Sequence, residues 1–195
     1  MNKTTLITVI VVIVLVVVGG YFFLSQSNQQ NDKKMLDIFS SKTSSIETSQ
    51  LVLDVADLPV GFQIAERTPR LRSDVSADGL NMGWKEGYSV RYNKEGEGLL
   101  DISAISLSIS RYPSENISKV LDYVSEVKGH TVEELPNPQI GDNSQAIRYT
   151  EEEFGLRSYE IEFTKKDIYI SLKMQGTTTD YELLKKLAVK VSSKI

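Results

Sequence analysis

The sequence has one histidine, His130, and that limits the catalytic chemistry open to it. A serine nucleophile needs a base beside it, and that base would have to be His130; no Gly-x-Ser-x-Gly elbow is present. His130 follows Gly129 and reads as an exposed cap residue just past a helix end. Glu133 and Glu134 lie close to it, but one imidazole and no thiol leave a structural zinc site short of nitrogen and sulfur ligands. Glu160 and Glu162 stand two apart, which puts both carboxylates on one face of a strand and makes them acid/base candidates. Their plainer reading is a solvated face paired across the sheet with Lys173, and Glu162 should then tolerate truncation. Glu151, Glu152 and Glu153 read as a solvated loop. No glycine-rich phosphate loop follows any strand, and nothing implies a cofactor.

Asp74, Ser76 and Asp78 occupy positions one, three and five of a calcium-loop pattern, with Gly79 at six. The twelfth position, which should carry a bidentate glutamate, is Lys85, and Glu86 comes one residue late. An Asp-Gly turn leading into a strand at Trp84 is the simpler reading, with calcium at Asp74, Ser76 and Asp78 as the alternative. Asn116-Ile117-Ser118 matches a glycosylation acceptor at Asn116, and Asn2-Lys3-Thr4 matches on the other side of the membrane. Arg67, Arg70 and Arg72 form the basic cluster outside the membrane flank. They lack the long stripe and stacking aromatics of a nucleic-acid surface, so no nucleic-acid partner is expected, and the cluster reads as a loop balancing local acids.

The elements that position these residues begin with an anchor. The chain has 195 residues, 41% hydrophobic and 25% charged, with 22 basic and 26 acidic side chains, no cysteine and a net charge of -4. These proportions exclude a collagenous, disordered or disulfide-stapled chain. An uncharged apolar run opens at Leu6 and closes at Leu24. As a helix it reaches about 28 Å, near the ~30 Å hydrocarbon core of a bilayer. Its β-branched residues favour a strand in water, but in lipid a lone segment must be helical to satisfy its own backbone. A cleaved secretory signal is the alternative, with Ser25-Gln26-Ser27 as the small-x-small site. The amino terminus and Lys3 flank one end closely, so the N-terminus is expected inside and the bulk of the chain outside a cell membrane, as a single-pass protein. The expected division is a cytoplasmic stub at 1–5, the transmembrane helix at 6–24, a polar stalk at 25–50 and an extracytoplasmic domain at 51–195.

Within that domain, period-two alternation marks the strands. Trp84, Tyr88, Val90 and Tyr92 share one face; Ile105, Leu107 and Ile109 alternate with serines. Tyr159, Ile161 and Phe163, then Ile168, Ile170, Leu172 and Met174, alternate with polar residues. Weaker strands are expected at 51–55, 62–67 and 144–150. One helix should start after Ser114 and carry Ile117, Val120, Leu121, Val124 and Val127. A second should start at Thr179, with Glu182 completing a capping box and Leu184, Leu187, Ala188 and Val191 as its stripe. For the last hairpin, Thr164 facing Asp167 sets Phe163 against Ile168, Ile161 against Ile170 and Tyr159 against Leu172. Spacing to the two helix caps suggests a repeated ββα unit. The expected fold is α+β, a two-layer sandwich of six or seven mostly antiparallel strands with two helices on one face and the other face wet.

Ile140-Gly141-Asp142-Asn143-Ser144, the run from Tyr159 to Ser171 and a terminal amphipathic helix together resemble extracytoplasmic α/β domains of the PsbP and LpqN-like kind. The resemblance spans roughly residues 100–195 and has Gly141-Asp142 as its only motif. It implies an accessory or binding domain outside the membrane, with no catalytic residues to carry over. The expected function is therefore a membrane-anchored binding or accessory domain that is not an enzyme, holding a protein partner or ligand. The alternatives are a structural subunit of a membrane complex and an extracytoplasmic enzyme with an acidic site. Protease added to intact cells should degrade the domain while the chain keeps its residues 6–24; a mature chain starting at Asn28 would show cleavage instead.

Overall fold

A computed structural model describes residues 44–96, 102–122, 130–151 and 156–195. The expected span at 6–24 and most of the stalk lie outside these residues. Among the described residues no helix is long and apolar enough to cross a membrane.

Seven strands form one sheet: β1 (Gln63–Pro69), β2 (Glu86–Glu95), β3 (Ile102–Arg111), β4 (His130–Leu135), β5 (Asn143–Glu151), β6 (Arg157–Lys165) and β7 (Ile168–Gly176). Their order is β1-β2-β3-β7-β6-β5-β4, and every neighbouring pair is antiparallel. Among the described residues two α-helices accompany them, the short α1 (Ala77–Asn81) and the terminal α2 (Tyr181–Ser193), with 3-10 turns between. The fold is α+β and antiparallel, as the alternation implies.

One face of the sheet is sealed. Ile105, Leu107 and Ile109, Ile161 and Phe163, and Ile168, Ile170, Leu172 and Met174 pack beneath Leu184, Leu187, Ala188 and Val191 of α2. The cap of α2 is Asp180, one residue beyond the expected Thr179; its carboxylate accepts the Leu183 amide at 3.0 Å. At the other end Lys165 Nζ donates to the Ser192 carbonyl at 2.7 Å, placing positive charge where the helix dipole favours it.

The β6–β7 register differs from the expected one by two residues. Phe163 faces Ile170, Ile161 faces Leu172 and Tyr159 faces Met174, with Lys166 and Asp167 as the turn. A two-residue slip leaves every side chain on its own face, so apolar alternation cannot tell the registers apart. The turn decides. Asp167 is 1% exposed and accepts Arg111 Nη1 at 2.6 Å and the Ser44 amide at 2.8 Å. Arg111, at the end of β3, also donates to the carbonyls of Ser44 and Ile46 and to Glu86. The Gly141-Asp142 pair braces the same turn. Gly141 lies so close to β6 that a Cβ there would stand 2.3 Å from the Thr164 carbonyl oxygen, and the Asp142 carboxylate accepts the Lys166 amide at 2.7 Å.

The clasp also corrects the stalk boundary. Residues 44–50, expected as tether, belong to the folded unit: Ser44 and Thr48 are buried and Ile46 packs on the core. The expected strand at 51–55 is absent. Leu51, Val52 and Leu53 are buried at consecutive positions, a pattern without alternation, and Tyr92 Oη donates to the Leu53 carbonyl at 2.6 Å. Burial pushes the Tyr92 hydroxyl up to about 12.

The second face is not simply wet, and the two helical segments do not share one face. The segment after β3 appears as a 3-10 turn, Ile117–Asp122, whose Val120 lines a cavity with Tyr169 and Ser171, the β7 residues that alternate with the sealed core. It therefore lies opposite α2, and the suggested ββα repeat ends at its strands. His130 is not a cap residue; it opens the edge strand β4 opposite Glu151. Thr131 to Glu134 are all exposed, so β4 carries no apolar alternation to reveal it.

Truncating Asp167 to Ala should destabilise the fold by about 3–5 kcal/mol, because Arg111 is left buried without its partner. Ile170→Ala should cost about 2–5 kcal/mol through lost packing. Denaturant melts measure both. Amide hydrogen exchange separates them, since only the Asp167 variant should release the Ser44 amide.

Candidate functional site

The polar face is organised around Arg70. The chain leaves β1 and Arg70 donates its amide to the Gly87 carbonyl at 3.0 Å. Its side chain then crosses β2 over Gly87, where an added Cβ would stand 2.6 Å from the Ile109 carbonyl oxygen and 3.3 Å from Arg70 Cδ. Only a residue without a side chain leaves that path open. The guanidinium ends on β3, donating from Nη1 to Ser108 Oγ at 3.1 Å and Ser110 Oγ at 2.8 Å, and from Nη2 to the Asp74 carbonyl at 3.0 Å. Trp84 Nε1 also donates to Ser110 Oγ, at 3.2 Å. Trp84 thus lies on this face and not with Tyr88, because β2 starts only at Glu86 and strand alternation does not extend back to it.

Across β7 from the serines stands Glu162 on β6. Ser108 pairs with Ser171, and Ser171 pairs with Glu162, so the three form a row across the sheet. Glu162 accepts Tyr169 Oη on one oxygen and Gln145 Nε2 on the other. Burial, reinforced by the nearby Glu160 charge, holds its carboxyl above the usual glutamate value despite those donors. Tyr169 stands edge-on to Tyr112, with ring centroids 6.4 Å apart, and its own hydroxyl is pushed far up by burial. Glu160 accepts Ser171 Oγ at 2.7 Å. Lys173 lies opposite Glu160 in register, yet its ammonium sits 4.8 Å over the Tyr149 ring. The expected solvated pairing with Lys173 is replaced by a partly buried carboxylate held by neutral donors.

These groups floor a cavity of about 250 Å³. Ser108, Tyr169, Ser171 and Glu162 form its base; Val75, Gly79, Met82, Tyr112 and Val120 form its walls, and Arg70 and Asp78 bring charge to its rim.

The calcium-pattern residues do not act as one ligand set. The Asp74 carboxylate accepts the Leu71 amide at 2.8 Å and Ser73 Oγ at 3.2 Å, and Ser76 Oγ accepts the Gly79 amide at 3.2 Å as the cap of α1. Asp78 lies in the first turn of α1, facing the cavity. Among the described residues no three histidine, cysteine, aspartate or glutamate side chains gather as a metal site. Asn116, the glycosylation candidate, is partly buried, and its Nδ2, the atom a glycan would need, donates to the Met82 carbonyl at 3.0 Å. Of the basic cluster, Arg67 lies 5.9 Å over the Tyr88 ring, and Arg70 serves the site described above rather than balancing acids. The missed signal was Gly87, an isolated glycine in a strand pattern, which marks close approach of another group.

No family model matches the chain, and no curated protein matches it. Among solved structures it is similar to the extracellular domain of PknH from Mycobacterium tuberculosis, with a TM-score of 0.57, 9% sequence identity, and coverage of 78% of this chain and 96% of that one. At that identity the likeness is one of fold.

Because the Glu162 carboxyl is raised from 4.5, the folded state keeps its proton to higher pH than the unfolded chain does. That contribution to stability is fully present below 4.5 and lost as pH rises through the folded value. Glu162→Gln should therefore raise the melting temperature by a few degrees at about pH 7 and by much less at about pH 4. Calorimetry at the two pH values checks it; an equal gain at both would assign the effect to something other than the charge.

Proposed function

We propose that this protein is a membrane-tethered, outward-facing domain that binds a small polar ligand in the cavity above β3, β7 and β6. The observation that carries the reading is the contrast between the sheet's two faces. One is sealed by α2, while the other keeps a cavity of about 250 Å³ floored by hydroxyls and a carboxylate. A face needed only for solubility would have no reason to hold Arg70 through a glycine gap or to bury Glu162. The tether rests on the apolar run at 6–24, and the outward orientation on the basic residues flanking it. The fold likeness to an extracellular domain points the same way.

A second reading has one observation of its own. The raised Glu162 carboxyl is suited to donate a proton, so an enzyme with an acidic site is the alternative. It is the weaker one, because the hydroxyls paired with carboxylates here, Ser171 with Glu160 and Tyr169 with Glu162, have no histidine beside them among the described cavity residues. The full chain in lipid nanodiscs, screened by thermal shift against small polar metabolites, separates the two. Binding predicts a ligand that raises the melting temperature and is recovered chemically unchanged by mass spectrometry. Gly79→Ala should abolish the shift, because the added methyl would meet Val75 at 2.8 Å and Tyr112 Oη at 3.2 Å inside the cavity. Turnover of the ligand would favour the enzyme; no shift from any compound would remove the cavity from the function.

A further inference from the structure

The cavity carries opposite charges that do not neutralise each other. Among the described residues neither Arg70 nor Glu162 has an ion-pair partner. Arg70 is held by two serine hydroxyls and a carbonyl, and Glu162 by a tyrosine hydroxyl and a side-chain amide. These neutral partners orient each charge without cancelling it, and a partly desolvated charge without a counter-charge is unfavourable. The row Ser108, Ser171, Glu162 sets the spacing, since Ser108 holds the guanidinium and Glu162 stands two strands away. Two inter-strand steps set the Cα atoms of Ser108 and Glu162 about 10 Å apart, and no ion pair joins the two charges across the row. That gap accommodates one small molecule that carries a cation at one end and an anion at the other, with hydrogen bonds to both walls.

We propose that the ligand is a small zwitterion of the α-amino acid type, its ammonium at Glu162 and its carboxylate on the Arg70 guanidinium. The inference rests on the binding reading above and names its ligand class. Each group matches its wall. A guanidinium fixed by flanking acceptors presents its remaining N–H donors to a carboxylate, the geometry in which arginine binds most strongly. Glu162 keeps acceptor capacity on both oxygens for the N–H donors of an ammonium. Ser171, between them in the row, lies beneath the middle of the molecule. A bare amine would leave Arg70 without a counter-charge. A bare carboxylate would leave Glu162 without a counter-charge.

The test uses the full chain in nanodiscs and isothermal titration. The twenty free L-amino acids are screened first, and the best binder is compared with its N-acetyl and its carboxamide forms, each of which lacks one charge. The proposal expects at least a tenfold loss of affinity for both derivatives. Arg70→Gln should lose the preference for the free acid over the carboxamide, and Glu162→Gln the preference for the free amine over the N-acetyl form. Derivatives that bind the wild type as well as the free amino acid would overturn the zwitterion while leaving the binding reading intact. So would a panel with no binder when the metabolite screen finds some other ligand. The derivative comparison uses only the wild-type chain, so a variant that misfolds does not remove the test.

Discussion

The buried pair of Arg111 and Asp167 ties together three parts of the chain that are remote in sequence. Arg111 ends β3, Asp167 sits in the β6–β7 turn, and both bind the backbone of residues 44–46 where the chain enters the domain. Burying two charges is favourable only when their mutual attraction is joined by further hydrogen bonds, and here carbonyls, an amide and Glu86 supply them. The consequence is specificity of arrangement. The clasp selects one hairpin register from two that apolar packing would accept equally, and it sets β7 beside β3 at the centre of the sheet. Every row of side chains across the polar face, including the one from Ser108 to Glu162, inherits its alignment from that choice.

The two faces of the sheet solve different problems. The sealed face follows the ordinary logic of burial: branched aliphatic residues from β3, β6 and β7 meet one apolar stripe of α2. The other face uses small hydroxyl residues where the sealed face uses isoleucine and leucine. Serines at 106, 108, 110 and 171 stand low on the strands, and that lowness makes room for long side chains to lie across them. Arg70 reaches the centre of the sheet from an edge strand because Gly87 clears its route. A cavity on a sheet face thus arises from side chains that are too small to fill it, roofed by α1 and the Ile117–Asp122 turn.

Fold likeness and site chemistry carry separate weight in this protein. The similarity to the PknH extracellular domain extends over nearly all of that domain and most of this chain, so the arrangement of strands is shared. That likeness carries nothing about Arg70, Gly87 and Glu162, since a common architecture hosts unrelated sites. The functional reading therefore rests on the charges, their neutral partners and the space between them.

What the sequence determined by itself is what depends on local period and composition: the membrane-length apolar run, the strands with alternating faces, the antiparallel α+β class and the stripe of α2. Each is a statement about neighbours along the chain, which share a face or a turn whatever the rest does. Several features depended on contacts between remote segments and could not be read that way. β4 is an exposed edge without apolar alternation, held by its pairing with β5 and by Leu135 against the core. Leu51 to Leu53 are buried on all sides by a core assembled from elsewhere. The segment 117–122 lies on the opposite face beside Tyr112, whose ring meets Tyr169 of β7. Glu162 looked solvated because alternation puts it on one strand face with the polar Ser158 and Glu160. Its environment comes from Tyr169, Gln145 and the roof above them, and burial by distant groups is decided only when the sheet has assembled.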